Sequence, residues 1–177
     1  MSTKDTRRGR PIAFDERTVL EAALHVFWRR GFAASLRELE EATGVDRSTI
    51  YNSFGGKRGL YERAAGHYVE RLEAVLFALL VPGAGVGPFL DRLAAQIRDA
   101  TTPAGCLIVR ELATGAASPA ATARYLEGLE AGLVAALRRP ELAPLLAGAI
   151  VGINQVAVAS QERALAMIEA VRELARS

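Results

Sequence analysis

The stretch "ATGVDRSTIYNSFGGKRGLYERA", residues 42–64, constrains this chain more than any other. It is helical in character at both ends, yet Gly44, Gly55, Gly56 and Gly59 interrupt it. Glycine costs a helix about 1 kcal/mol relative to alanine. Isolated helices shorter than about 12 residues are marginal in water. A stub such as Asp46 to Ser53 must therefore be held by its surroundings. The flanking residues supply punctuation. Ser35 is placed to cap a short helix, and Glu38 three residues on completes a capping box. Gly44 ends that helix in the left-handed geometry that glycine tolerates. Asp46 caps the next helix, which runs through Tyr51 to about Phe54 and stops at Gly55–Gly56. A long helix is predicted from Lys57 to Leu80. Upstream, Asp15 is an N-cap for a helix whose apolar stripe is Val19, Leu20, Ala23, Leu24, Val26 and Phe27, closed by Arg29, Arg30 and Gly31.

Two helices of about eight residues joined by a tight turn at Gly44 make a helix-turn-helix. The second helix can be short because it presents one face to a major groove. Leu39, Val45, Ile50 and Phe54 are the apolar residues placed to pin the pair onto the first helix. Arg47 and Tyr51 are one turn apart and share a face. Ser48 and Thr49 sit beside them, near the helix N-terminus that enters the groove. Arginine matches guanine edges through its planar fork, and small hydroxyls reach bases or phosphates. Lys57 opens the following helix, where free backbone N–H groups attract phosphate. Two residues keep two readings. Arg37, beside Glu38, Glu40 and Glu41, is a groove contact or an exposed ion-pair residue worth little. Tyr51 faces DNA or is partly core with its hydroxyl at the rim.

Charge points the same way. Residues 1–60 carry 11 basic and 8 acidic side chains, net +3, and the remainder carries 11 and 12, net −1. The opening "MSTKDTRRGRP" holds four basic groups against Asp5. Such an arm seeks a polyanion or merely solubilises the chain. Its "RRGRP" resembles the core of an AT-hook, which would lay Arg8 and Arg10 in a narrow minor groove.

The segment "SLRELEEATGVDRSTIYNSFGGKRGLYERA", residues 35–64, preceded by "FWRRGF", resembles the TetR family of transcriptional repressors. The resemblance covers residues 12–65. It implies an all-α chain: a basic arm (1–11), a three-helix helix-turn-helix DNA-binding domain (12–65) and, joined by a long helix, an effector-binding and dimerisation domain (66–177). It also implies a homodimer on a double-stranded DNA operator, released by a small-molecule effector. In this family the residues matching Arg37, Arg47, Thr49, Tyr51 and Lys57 face DNA. Leu36 stands where threonine is common. Ser53 stands where an aromatic or histidine often sits near phosphate.

No segment alternates apolar and polar residues as a strand would. Helices are predicted over 87–100, 104–115, 119–138, 141–159 and 161–175. Small residues at Gly148 and Gly152 allow close helix approach. With the stripe Leu165, Ile168 and Val171 they are assigned to a two-fold dimer interface; closing the chain's own core is the competing assignment. Phe77, Phe89, Leu93, Cys106, Leu107, Leu112, Tyr125 and Leu129 are candidate walls of an effector cavity suited to an apolar or aromatic ligand. Ordinary core packing is the better account of most of them taken individually. Cys106 falls at a helix start, where a thiol pKa can drop, yet it also reads as a buried inert thiol.

Other classes find less support. His25 and His67 lack a cluster at metal spacing, so no metal or cofactor is expected. No G-x-S-x-G surrounds a serine. A thiol-dependent enzyme or sensor built on Cys106, with His67 as its partner, and an interaction module without DNA binding are the alternatives. The "PGAGVGP" stretch, 82–88, has no strand before it and no lysine after it, so it is a linker rather than a phosphate loop. Residues 142–161 reach membrane-spanning length but contain Pro144, Asn154, Gln155, Ser160 and Gln161, and read as a soluble helix with no membrane partner. One cysteine and no apolar leader fit a reducing cytoplasm.

Overall fold

The computed structural model describes residues 14–112, 115 and 118–176. Every regular element among them is helical: α1 (Glu16–Arg30), α2 (Leu36–Thr43), α3 (Arg47–Phe54), α4 (Lys57–Val75), α5 (Gly87–Arg98), α6 (Leu107–Leu112), α7 (Pro119–Ala136), α8 (Ala143–Ala159) and α9 (Gln161–Arg176). The all-α expectation holds, and the local punctuation explains the boundaries.

Asp15 accepts hydrogen bonds from the Arg17 and Thr18 amides and starts α1. Ser35 and Glu38 form the full capping box at α2. Gly44, at φ +70°, closes α2 in the left-handed region. The fourth helix is shorter than its sequence suggests. It ends at Val75, and Phe77–Leu79 tighten into a 3-10 turn that buries Phe77.

α1 packs on both α2 and α4, while α3 rests on the N-terminal part of α4. Leu39, Val45, Ile50 and Phe54 are all buried, and Phe14 stacks on Phe54 with ring centroids 5.8 Å apart. The rest of the chain gathers on the other half of α4. α7 lies along it, α8 pairs with α9, and α9 reaches α5. Arg124 of α7 grips Glu73 of α4 through two nitrogens at 2.7 and 2.5 Å. One core runs continuously from Val19 to Val171.

Candidate nucleic-acid interface

α3 is fixed from inside and free outside. Asp46 Oδ1 accepts the Thr49 amide at 2.7 Å and the Ser48 hydroxyl at 2.9 Å, which satisfies the first turn. Ile50 and Phe54 point inward. Arg47, Ser48 and Ser53 point outward, and Thr49 is half-buried. Tyr51 is 55% exposed, which decides against a core role for it. Asn52, exposed one turn beyond Ser48, joins this face and was not anticipated. Among the described residues Arg47 enters no ion pair, so its guanidinium is uncommitted. Arg37 stands on the surface of α2 with its Nε donating to Glu41 at 2.8 Å. That is the ion-pair geometry of its alternative reading, and the side chain remains 84% exposed and able to exchange partners.

Lys57 opens α4 with its Nζ 4.5 Å from the centre of the Phe32 ring. The aromatic face steers the ammonium to the end of the helix where backbone N–H groups are open. Arg63 was not read from the sequence. Its Nη1 donates to the Ser53 carbonyl at 3.2 Å, its guanidinium lies 5.1 Å from the Phe54 ring centre, and it pairs with Glu16. It ties the end of α3 to α1 and α4 at once. Arg8 and Arg10 lie outside the described residues.

Behind this face, α1 and α4 are joined by a small charge cluster. Glu21 of α1 accepts from Arg71 Nη1 at 2.6 Å, meets His67 Nε2 at 2.9 Å, and lies 3.5 Å from His25. Burial pushes the Glu21 carboxyl up, but the His67 hydrogen bond and the Arg71 charge outweigh it and the net shift is downward. A lowered carboxyl pKa stabilises the fold above the unfolded value, 4.5, and that contribution fades as pH falls through the folded value. Glu21→Gln should therefore lower the melting temperature at neutral pH and lose most of that effect in acid. Melting curves of both proteins from pH 7 to pH 3 check it; a constant difference would show that the Glu21 charge is idle. A second tie lies nearby. The Trp28 indole donates to the Gly105 carbonyl at 3.1 Å, and Arg110 donates to the Trp28 carbonyl at 2.5 Å.

Residues 19–64 match the model of bacterial regulatory proteins of the tetR family. The TetR family transcriptional regulator CifR, solved as a cysteine mutant complexed with 26bp double-strand operator DNA, is similar in structure, with a TM-score of 0.71. It is 30% identical, over 92% of this chain and 97% of that one. The chain belongs to the TetR family. The HTH-type transcriptional repressor ComR of Escherichia coli (strain K12) is 33% identical over 113 residues, 60% of this chain and 54% of ComR. The chain thus matches about half the length of that relative. E. coli NemR in its reduced form, 23% identical with a TM-score of 0.63 over 89% of this chain and 97% of that one, shares the fold.

The cavity expected in this TetR-family chain is nearly filled by its own side chains. Phe77, Phe89, Leu93, Cys106 and Tyr125 do converge, joined by Tyr68 and Asn154, but around only about 10 Å³. That is room for one water at most. Leu107 and Leu129 are buried in the core without lining it, and Leu112 is 42% exposed on the surface, so it is no wall. Its six-residue helix turns that side chain outward. Burial pushes the Cys106 thiol up despite hydrogen bonding around it, against the drop that a helix start suggested. His67 is held by Glu21 and lines a different cleft, so the Cys106–His67 pair is not assembled. Among the described residues no group of three or more His, Cys, Asp or Glu is placed to hold a metal ion.

The TetR-family C-terminal pair is also partly reassigned. Ile168 and Val171 face the chain's own core, on the side of α9 that meets α8 and α5, and a partner cannot reach them. Leu165 is half-buried. Gly148 has no neighbour within 4 Å of where a Cβ would stand, and Gly152 meets only Met167 Cε at 3.7 Å. Their face of α8, with Leu145 at 58% exposure, is apolar and uncovered within the chain.

Proposed function

We propose that this protein is a DNA-binding transcriptional repressor that acts as a homodimer on a near-palindromic operator and is released by a small effector with an apolar or aromatic body. The observation that carries this reading is α3. Its inner face is locked by Ile50, Phe54 and the Asp46 cap, while Arg47, Ser48 and Tyr51 stand outward together. That fixing holds the outward polar and aromatic set in one orientation, as a helix that reads a groove requires. The CifR complex with operator DNA supports the same assignment, carried here as a likeness. Lys57 and Ser53 flank the groove as phosphate contacts, Thr49 and Arg37 complete the face, and the arm at 1–11 adds Arg8 and Arg10 in the adjoining minor groove.

The mechanism follows from linkage. An effector shifts DNA binding only by its differential affinity for two arrangements of the recognition helices. Sequencing the genomic DNA captured by the purified protein identifies the operator, and gel-shift titrations then divide the roles. Arg47→Ala should relax preference at one base pair and cost about 1–3 kcal/mol, while Lys57→Ala should weaken all sequences alike and flatten the salt dependence. Equal losses on operator and random DNA for both variants would remove the distinction. Affinity that ignores salt would remove the DNA reading itself.

A further inference from the structure

A second cavity, about 250 Å³, opens to solvent between α1, α4 and α5. It shares Tyr68, Leu72, Leu76 and Gln96 with the small inner cavity, so the two adjoin and it forms an outer vestibule beside that cavity. Its character is mixed. Leu72 and Leu76 supply an apolar wall, and Trp28 and Tyr68 stack edge to face at 4.9 Å. Arg71 and Arg92 line it as well, together with His25 and Asp99. Arg71 is parked on the aromatic wall, 5.7 Å from the Trp28 ring centre and 5.6 Å from that of Tyr68. A guanidinium has five N–H donors, and the bond to Glu21 uses one. Among the described residues Arg92 forms no ion pair within 4 Å, although Asp99 feels its charge.

We infer that the vestibule binds a small organic carboxylate whose headgroup Arg71 and Arg92 hold and whose apolar body lies against Leu72 and Leu76, and that this binding loosens the tie between Glu21 and Arg71. Two guanidiniums over an apolar floor select an amphipathic anion: the fork geometry matches a carboxylate, and the floor rewards an aryl or alkyl tail. The coupling is built from the same residue. Arg71 belongs to the vestibule and also fastens α1, so a second carboxylate on it competes with Glu21. Whatever weakens that bond weakens the seat of the helix pair that carries α3. This assignment deepens the effector reading above and rests on it for its biological meaning.

The test needs no DNA, so it stands or falls separately from operator recognition. The chain has one tryptophan, and it lines the vestibule. Trp28 fluorescence is titrated in the full-length protein with benzoate, phenylacetate and hexanoate, each against its amide. Carboxylates should give saturable changes at least about tenfold tighter than their amides, and Arg92→Met should erase that preference. Glu21→Gln should tighten carboxylate binding by on the order of fivefold or more, because the competitor is gone. Equal binding of acids and amides, or no saturable response to any acid, overturns the site. An unchanged or weaker affinity in Glu21→Gln overturns the coupling even where the site binds.

Discussion

Gly59→Ala is expected to destabilise the protein by about 3 kcal/mol or more and to abolish operator binding, although alanine is the better helix former. The reason is contact, not conformation. Gly59 sits in the first turn of α4, directly under the end of α3. A Cβ there would stand 1.7 Å from the Phe54 carbonyl oxygen and 2.9 Å from its carbon. Both are backbone atoms, so no side chain can swing aside. The α3–α4 junction has to separate, and with it go the Phe54 packing and the Arg63 bond to the Ser53 carbonyl. Gly66→Ala is the control. It lies on the same helix with nothing within 4 Å and is expected to be neutral or to stabilise by up to about 1 kcal/mol. Thermal melts of the two variants with an operator titration decide it. Equal melting temperatures would show that the junction yields more easily than its geometry allows.

Gly152→Leu is expected to leave the chain folded but monomeric, with operator affinity falling by on the order of a thousandfold towards non-specific binding. Within the chain a Cβ at this position is admissible, since only the flexible end of Met167 comes near. A partner packed against the same face leaves no such room, and overpacking a close helix contact costs about 1–3 kcal/mol or more. One recognition helix reads too few bases to stand out from genomic competitors, so losing the two-fold pairing loses selectivity. Light scattering and operator titration on one sample separate the outcomes. A variant that stays dimeric with full affinity would move the interface off this face of α8.

Local chemistry was legible in the sequence, and long-range chemistry was not. Ser35 with Glu38, Gly44, Asp46 and Gly55 announce themselves because capping involves residues within four positions of one another. Their outcome fixes α2 and α3 and therefore the outward set of Arg47 and Tyr51. Gly59 reads only as a weak helix former until Phe54 is seen above it. Glu21 looks like an ordinary surface acid, because its partners His67 and Arg71 lie 46 and 50 residues away. The stripe on α9 is legible as a stripe, but periodicity does not say whether the chain or its partner covers it; Ile168 and Val171 are buried in the chain's own core. The inner cavity was legible as a convergence of aromatic and aliphatic residues. Its volume was not, because a few tenths of an ångström per side chain separate a packed core from a pocket.

The position of Trp28 limits how freely such a protein could exchange parts with its relatives. Its indole N–H and its own carbonyl are both satisfied by residues 77 and 82 positions downstream. A reading head cut from this chain and grafted onto another body would carry a buried donor with no acceptor, a loss of about 1–3 kcal/mol, unless the recipient offered a carbonyl in the place of Gly105 and a donor in the place of Arg110. Recombination between paralogues would thus be screened by a three-residue agreement far from any DNA contact. Heads and bodies that lack it would come apart as chimaeras even where each half is sound.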